Sequence, residues 1–281
     1  MEVGMDPIPW KRVRRALCHY ARTHNVDSER VPGVIDTLTR LVGISGSFTR
    51  SRATARSIGV QLLRREVPHI VVPVCPAYTH QGRVYTYEGL GGGVPLLVRR
   101  HVPFLRKVQS ILPGSRVTLL IADQESGIPE LCEAIGVTER VFAQRIRESI
   151  KATRRYVTSL GWSVDAMTRF VPGVIEDVPQ VAAELCASER FRRCLLNETD
   201  RRAGIYARIG YPSDAHFRST VRTAAQYVHF GRFAEIHRYI PVNHTTQNLA
   251  WYRRTGVGFL HNPVSVYDHD EQDELVLADV G

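Results

Sequence analysis

The sequence has little lysine and lacks the patterns that mark several common protein classes. Three of its 37 basic residues are lysine, so the other 34 are arginine. It contains no run of about 18 apolar residues, which argues against a transmembrane helix and a membrane partner. The absence of HExxH and of paired cysteine–histidine spacings predicts no bound metal. The glycine-rich segment 89–93 continues with Val94 and matches neither a P-loop nor a dinucleotide-binding fingerprint.

Cysteine is also scarce and irregularly spaced. The five cysteines are an odd number and form no CxxC pair, so neither a disulfide framework nor a zinc site is indicated. Residues 1–15 are basic and lack the apolar core of a signal peptide. These features predict reduced thiols in a cytoplasmic protein.

The charge is strongly unbalanced toward arginine. The 37 basic residues stand against 28 acidic ones, which gives a net charge of +9 and an isoelectric point near 9.6. Such a surplus favours a polyanionic partner such as RNA. A basic enzyme with no nucleic-acid role is the alternative at this stage.

Two apolar runs carry the clearest fold signal. The run from His69, which stops at Cys75, and the run Arg116–Asp123 are short and rich in β-branched residues, which is typical of buried strands. A helical pattern over residues 96–111 separates them, so strand, helix and strand predict a parallel βαβ unit. We expect one Rossmann-like α/β domain over residues 1–281, with a mostly parallel sheet flanked by helices. Its other expected parts are a basic helical arm (1–30), strands at 167–171, 238–244 and 264–267, a short helix at 248–255 and an acidic surface tail (268–281).

Polar residues follow the predicted strands. Cys75 ends the first, Asp123 ends the second, and Asn243 with His244 ends a later one. In open parallel sheets, ligands bind beyond the carboxyl ends of the strands. A thiol there is a candidate nucleophile if a base activates it, and His80, His229 and His244 are the candidate bases. The alternative is that Cys75 is a small buried hydrophobic residue.

Residues 138–160 predict a long amphipathic helix with a cationic stripe. Apolar residues recur at steps of three, four and seven, which indicates a buried face. The cations on another face extend over about four turns, a length that fits a duplex phosphate ladder. A solvated face paired with Glu139 and Glu148 is the alternative. The stripe consists of Arg140, Arg147, Lys151 and Arg154, with Arg145 and Arg155 beside it.

The stretch from Val74 to Thr79 resembles the Ile-Ser-Pro-x-Asn-Ser type of segment in the cyclodipeptide synthases, with Cys75 in place of the serine. The second strand and the basic helix follow in that family's order. The resemblance implies a fold like the catalytic domain of class I aminoacyl-tRNA synthetases, and a covalent aminoacyl group on Cys75. Two aminoacyl-tRNAs would react to form a cyclic dipeptide, and no cofactor would take part. Pro76, Tyr78 and Asp123 would then contact the substrate, and Arg140, Arg147, Lys151, Arg154 and Arg155 would hold the tRNA.

The chain departs from that family at its acid–base residues. The family has a tyrosine followed four residues later by a glutamate, whereas Tyr227 is followed by Gly231. The family's late tyrosine before a histidine corresponds to Asn243 before His244. Glu235 is the acid that would replace the missing glutamate. The expected catalytic residues are therefore Cys75, Tyr227, Glu235, Asn243 and His244.

Two alternatives remain at the level of sequence. Residues 113–123, followed by Gly136 and Val137, are similar to the central segment of isocyanide synthases of the pyoverdine and dityrosine type, which act on a free amino acid. Their lysine-bearing segment has no counterpart, because no lysine lies near Thr79. The other alternative is a non-catalytic RNA-binding protein with a synthetase-like fold. The favoured hypothesis is a tRNA-dependent aminoacyltransferase that forms a dipeptide or an amide with a second amino acid or amine.

Overall fold

A five-stranded parallel sheet forms the centre of the protein, with strands in the order β5-β4-β1-β6-β7. The computed structural model describes residues 8–45, 51–76, 78–80, 83–85, 93–134, 136–208, 212–243 and 258–262. The strands are β1 (His69–Val74), β2 (Tyr78–His80), β3 (Arg83–Tyr85), β4 (Arg116–Ile121), β5 (Ser163–Ala166), β6 (Ile240–Asn243) and β7 (Leu260–His261). β2 and β3 form a separate antiparallel hairpin.

Helices cover both faces of this sheet. They are α1 (Trp10–Thr23), α2 (Val31–Ser45), α3 (Ser51–Leu63), α4 (Leu96–Ile111), α5 (Pro129–Ala134), α6 (Glu139–Val157), α7 (Met167–Phe170), α8 (Val178–Ala187), α9 (Glu189–Arg208) and α10 (Ala215–Ile236). None of the helices that the structure describes is long and apolar enough to cross a membrane.

The side chains of β1 alternate between two cores, as expected for a strand that is covered on both faces. Ile70, Val72 and Val74 belong to a large cluster with α1 to α4 and α6. Val71 points into a second cluster that contains Phe230 of α10. The predicted α/β architecture with helices on both sides of a parallel sheet is therefore confirmed.

The amino-terminal helix is part of the larger core. Val13, Leu17 and Ala21 of α1 are fully buried in the cluster that also contains the sheet. These residues recur every four positions, which places them on one helix face. The basic residues of α1 lie on its exposed face, so the helix combines a packed side with a cationic side.

The register of β1 and β4 aligns their carboxyl ends. Val74 is paired with Ile121, and the N–H of Ala122 donates to the carbonyl of Val74 at 2.9 Å. The helix between them is α4, so the predicted parallel βαβ unit is present. The residues that follow the two strands, Cys75 and Asp123, consequently emerge at the same edge of the sheet.

The strand predicted at residues 167–171 is wrong. The strand is β5, which ends at Ala166, and residues Met167–Phe170 form helix α7. The carboxylate of Asp123 accepts hydrogen bonds from the backbone N–H and the hydroxyl of Thr168. These contacts satisfy donors in the first turn of α7 and favour helix over strand. The predicted helix at 248–255 and strand at 264–267 lie outside the described residues.

Candidate active site

Cys75 lies at the carboxyl edge of the sheet, immediately after the central strand β1. Its side chain is half-buried, and the following Pro76 is buried. All five cysteines are free thiols. The backbone hydrogen bond between Ala122 and Val74 holds the ends of β1 and β4 together. This edge is where open α/β sheets bind ligands, so the thiol occupies a position suited to chemistry.

The thiol of Cys75 donates a hydrogen bond to Glu125, with Sγ 3.0 Å from Oε2. Glu125 lies on a 3₁₀ turn, Asp123–Gly127, that directly follows β4. The turn places the carboxyl group over the end of the neighbouring strand. A thiol and a carboxyl group from two adjacent strand ends thus form a pair that we call the Cys75–Glu125 dyad.

The environment of the dyad changes the acidity of Glu125. Burial raises the pKa of Glu125 to about 8, and the hydrogen bond from Cys75 opposes part of this rise. A buried carboxyl group resists ionisation because its charged form loses hydration. Strongly perturbed acids of this kind are concentrated at functional sites.

Asp123 lies at the same edge of the sheet, but its side chain contacts Thr168 rather than the dyad. Its two carboxylate oxygens accept hydrogen bonds from Thr168, which fixes the junction of β5 and α7. The sequence predicts Asp123 at the same edge of the sheet as Cys75, and the register of β1 and β4 places it there. The contacts that its carboxylate makes here are with the protein backbone and a hydroxyl, so its predicted contact with a substrate stays a prediction.

The other predicted catalytic residues lie on α10 and on β6. Tyr227 is half-buried and packs edge-to-face against Phe259, with ring centroids 6.3 Å apart. Glu235 lies two turns further along the same helix and is exposed. Asn243 ends β6, where its backbone pairs with His261 of β7. Their predicted catalytic roles remain untested.

Of the three candidate histidine bases, two belong to described elements of the fold. His229 is on α10, and its Nε2 lies 3.0 Å from the carbonyl of Pro172. His80 ends the short strand β2. His244 lies outside the described residues. The thiol of Cys75 contacts Glu125, which the sequence analysis did not identify as a candidate base.

The cationic stripe lies on the exposed face of α6. Arg140, Arg147, Lys151, Arg154 and Arg155 are all exposed, and the opposite face is buried. Nε of Arg154 donates to the carbonyl of Val164 at 3.1 Å. Glu148 accepts from Gln144, and within the described chain neither Glu148 nor Glu139 forms an ion pair with the stripe. Its positive charge is therefore available to a solvent-borne anion.

A cavity of about 630 Å³ lies beside the turn that carries Glu125. Most of its lining is apolar, and Arg218 and Arg222 of α10 contribute cations. This volume is in the range of small-molecule sites. The Oε1 atom of Gln124 is buried and accepts no hydrogen bond from the residues described. The walls include Gln124, Ile128, Val178, Ala182, Phe217 and Val221.

Nothing in the described ranges groups three or more histidine, cysteine or acidic side chains as a metal site would require. At the carboxyl edge of the sheet, the thiol of Cys75 and the carboxyl group of Glu125 are in contact. Cys132 offers a contrast, because its thiol is buried and donates to the backbone carbonyl of Ser126 at 3.3 Å. Burial raises the pKa of Cys132, and the nearby Glu139 adds to this rise.

Comparison with solved structures finds a weak structural similarity. A solved structure described as CDPS, a cyclodipeptide synthase, from Staphylococcus haemolyticus matches with a TM-score of 0.42 and 11% sequence identity. The match covers 68% of this chain and 83% of that chain. No protein-family model and no curated protein matches the sequence.

Proposed function

We propose that this protein is an aminoacyltransferase that takes an aminoacyl group from a charged tRNA and transfers it to an amine. The observation that carries the proposal is the Cys75–Glu125 dyad at the carboxyl edge of the sheet. A half-buried thiol beside a carboxyl group is a suitable nucleophile for an acyl group. The product is a dipeptide or another amide.

The proposed reaction needs no external activation. The sulfur of Cys75 attacks the carbonyl carbon of the aminoacyl ester, and the ribose hydroxyl of the tRNA leaves. A thioester remains on Cys75. The amine of the second substrate then attacks this thioester and regenerates the thiol. Because an aminoacyl ester is already an activated acyl donor, no nucleotide cofactor takes part.

The position of α6 supports the choice of a tRNA ester as the donor. This helix packs against the 3₁₀ turn that carries Glu125, so the cationic stripe and the dyad belong to adjoining elements. Arg140 and Lys151 are eleven residues apart, which corresponds to about 16 Å along the helix axis. Phosphate contacts of this kind position a nucleic acid without reading its sequence. Arg140, Arg147, Lys151, Arg154 and Arg155 are the proposed tRNA contacts.

The cavity beside the turn supports a site for an amino-acid side chain. Gln124 lines it, and the next residue, Glu125, contacts Cys75. The dyad and the cavity therefore involve two adjacent residues of the same 3₁₀ turn. We assign this space to the side chain of an apolar amino acid, since most of its walls are apolar.

The test is an assay with the purified full chain and a pool of radiolabelled aminoacyl-tRNAs. We expect label on Cys75 after an acid quench and a small-molecule product whose mass is that of a dipeptide or amide. Turnover of a free amino acid without tRNA would favour an isocyanide synthase. Tight tRNA binding with no transfer by the wild-type protein would favour a non-catalytic RNA-binding protein. Either result would overturn the proposal.

A further inference from the structure

We propose that Glu125 is the acid–base catalyst of this site, which accepts the proton of the Cys75 thiol and delivers it to the leaving hydroxyl. This inference rests on the proposed function for the identity of the acyl donor. The proton transfer within the dyad can be tested without any substrate. It assigns to Glu125 the role for which the sequence suggested three histidines and Glu235.

The geometry provides a direct path for the proton. Sγ of Cys75 and Oε2 of Glu125 are 3.0 Å apart, which is within hydrogen-bond reach for transfer of the thiol proton. Both residues are held by backbone contacts: Cys75 follows the paired end of β1, and the N–H of Glu125 donates to the carbonyl of Ala122. A general base must be within hydrogen-bond reach of the proton that it removes. Glu125 meets this requirement in the free protein.

The raised pKa of Glu125 bears on its strength as a base. The surrounding protein raises the pKa of Glu125 to about 8. A base of higher pKa removes a thiol proton at a lower cost in free energy. An ordinary glutamate, with a pKa near 4.3, would be a much weaker acceptor. Burial therefore turns Glu125 into a competent base near neutral pH.

The charged groups on the elements packed against the turn are engaged elsewhere. Asp123 of the turn itself, Glu130 of α5 and Arg169 of α7 each have partners, and Glu133 of α5 is exposed. The buried face of α6 consists of uncharged residues. Burial is thus the main cause of the raised pKa of Glu125. The partners are Thr168 for Asp123, Arg218 and Arg222 for Glu130, and Asp165 for Arg169.

Glu125 by itself accounts for every proton that is transferred in the two steps. In the first step, the S–H bond breaks, the sulfur–carbon bond forms, and the proton passes to Glu125 and then to the departing ribose oxygen. In the second step, the attacking amine loses a proton to Glu125, the carbon–sulfur bond breaks, and the thiolate recovers a proton from Glu125. No oxidant, reductant or further reactant is needed.

The substrate-independent test is the rate of Cys75 alkylation by iodoacetamide between pH 6 and pH 10, followed by peptide mass spectrometry. In the wild-type protein we expect an inflection near pH 8 that reports the ionisation of Glu125. Glu125→Gln keeps the size of the side chain and an acceptor oxygen, and we expect its profile to report the ionisation of the thiol alone, at a pH displaced from the wild-type inflection. Glu133→Gln, on the exposed face of α5, is the matched control. Identical profiles for wild type and Glu125→Gln would overturn the proposal.

The catalytic test is single-turnover acylation of Cys75 by aminoacyl-tRNA. We expect Glu125→Gln to slow acylation by about 10²- to 10⁴-fold, the usual range for loss of a general base, while tRNA affinity is unchanged. Glu125→Asp keeps the carboxyl group but places it farther from Sγ, so this variant should retain part of the acylation rate. Acylation by Glu125→Gln at the wild-type rate would refute the role of Glu125. If the wild type shows no transfer while alkylation still depends on Glu125, the proposed function fails and the dyad's proton transfer stands.

Discussion

The two ends of the central sheet both carry side-chain contacts between β1 and β4. At the amino end, Nε2 of His69 lies 2.8 Å from the hydroxyl of Thr118, which in turn lies 2.6 Å from the hydroxyl of Ser163. At the carboxyl end, the thiol of Cys75 donates to Glu125. The first contact set joins three strands with neutral groups, and the second pairs two ionisable groups above the strand ends.

The surroundings of the two ends differ. His69 packs edge-to-face against Tyr239, with ring centroids 4.7 Å apart. Burial, and secondarily the charge of Arg116, lower the pKa of His69, which favours a neutral ring that suits its hydroxyl partner. The raised pKa of Glu125 means, in contrast, that its carboxyl group keeps its proton at pH values where an ordinary glutamate has lost it. The two ends thus differ in electrostatic cost rather than in the presence of polar contacts, and this difference supports the proposal that the carboxyl end is the functional one.

The largest effect is expected from removing the nucleophile. Cys75→Ala should reduce aminoacyl transfer by about 10³-fold or more, because loss of a catalytic nucleophile leaves only binding and electrostatic effects. Transfer is measured as labelled product per enzyme in the radiolabelled assay. Cys132→Ala is the control, since this second thiol near the same turn donates only to a backbone carbonyl. Transfer retained by Cys75→Ala would exclude the covalent mechanism.

The next effect concerns the pH dependence of stability. Folding raises the pKa of Glu125 from 4.5 to about 8, so between these values the folded state binds more protons than the unfolded state. The free energy of unfolding should therefore fall as pH rises through this window. Glu125→Gln removes the free-energy cost of ionising a buried carboxyl group. This variant should be more stable than the wild type by roughly 3 kcal/mol at pH 7.

Urea unfolding at pH 5 and pH 8 measures this difference. The advantage of Glu125→Gln should be small at pH 5 and large at pH 8. Glu133→Gln serves as the control for loss of a surface charge. An advantage that is the same at both pH values would contradict the assigned cause, because it would not depend on ionisation.

The cavity provides a third comparison. Ala182 lines it, whereas Ala183, the next residue of α8, is exposed. Ala182→Trp should occupy the space proposed for the amino-acid side chain and lower kcat/KM for apolar aminoacyl groups by about tenfold or more. Ala183→Trp should leave kcat/KM near the wild-type value. Equal activity of the two variants would place the side chain elsewhere.

The stripe on α6 can be tested separately from the chemistry. The double variant Arg147→Ala/Lys151→Ala should bind tRNA about tenfold more weakly and reduce the slope of log affinity against log salt by between roughly 1 and 2. Arg190→Ala/Arg192→Ala on α9 removes the same charge from another exposed helix and is the control. Filter binding at several salt concentrations gives both slopes. Equal slopes for the two variants would exclude a specific role for α6.

The smallest effect is expected at the amino end of the sheet. Thr118→Val should destabilise the fold by about 1 kcal/mol, because His69 and Ser163 lose a hydrogen-bond partner. Aminoacyl transfer by the folded variant should be unchanged. Thr37→Val is the control, since its hydroxyl makes an exposed contact within α2. A loss of transfer in Thr118→Val without a loss of stability would break the distinction between the two ends.

The sequence by itself determined the parallel sheet, the position of Cys75 at the end of its central strand and the two faces of α6. These features depend on local periodicity and on the order of strands and helices, which can be read along the chain. The strand proposed at 167–171 failed because the contact that stabilises α7 comes from Asp123, more than forty positions earlier. A local pattern carries no information about such a partner.

Only the tertiary structure decided what faces the thiol. Glu125 is 50 residues from Cys75, and nothing in the stretch Asp-Gln-Glu-Ser-Gly distinguishes its glutamate from a surface residue. The pairing of β1 with β4 aligns their ends, the 3₁₀ turn directs the carboxyl group across them, and the surrounding protein removes water. The raised pKa of Glu125 follows from that desolvation, which arises only when the chain is folded.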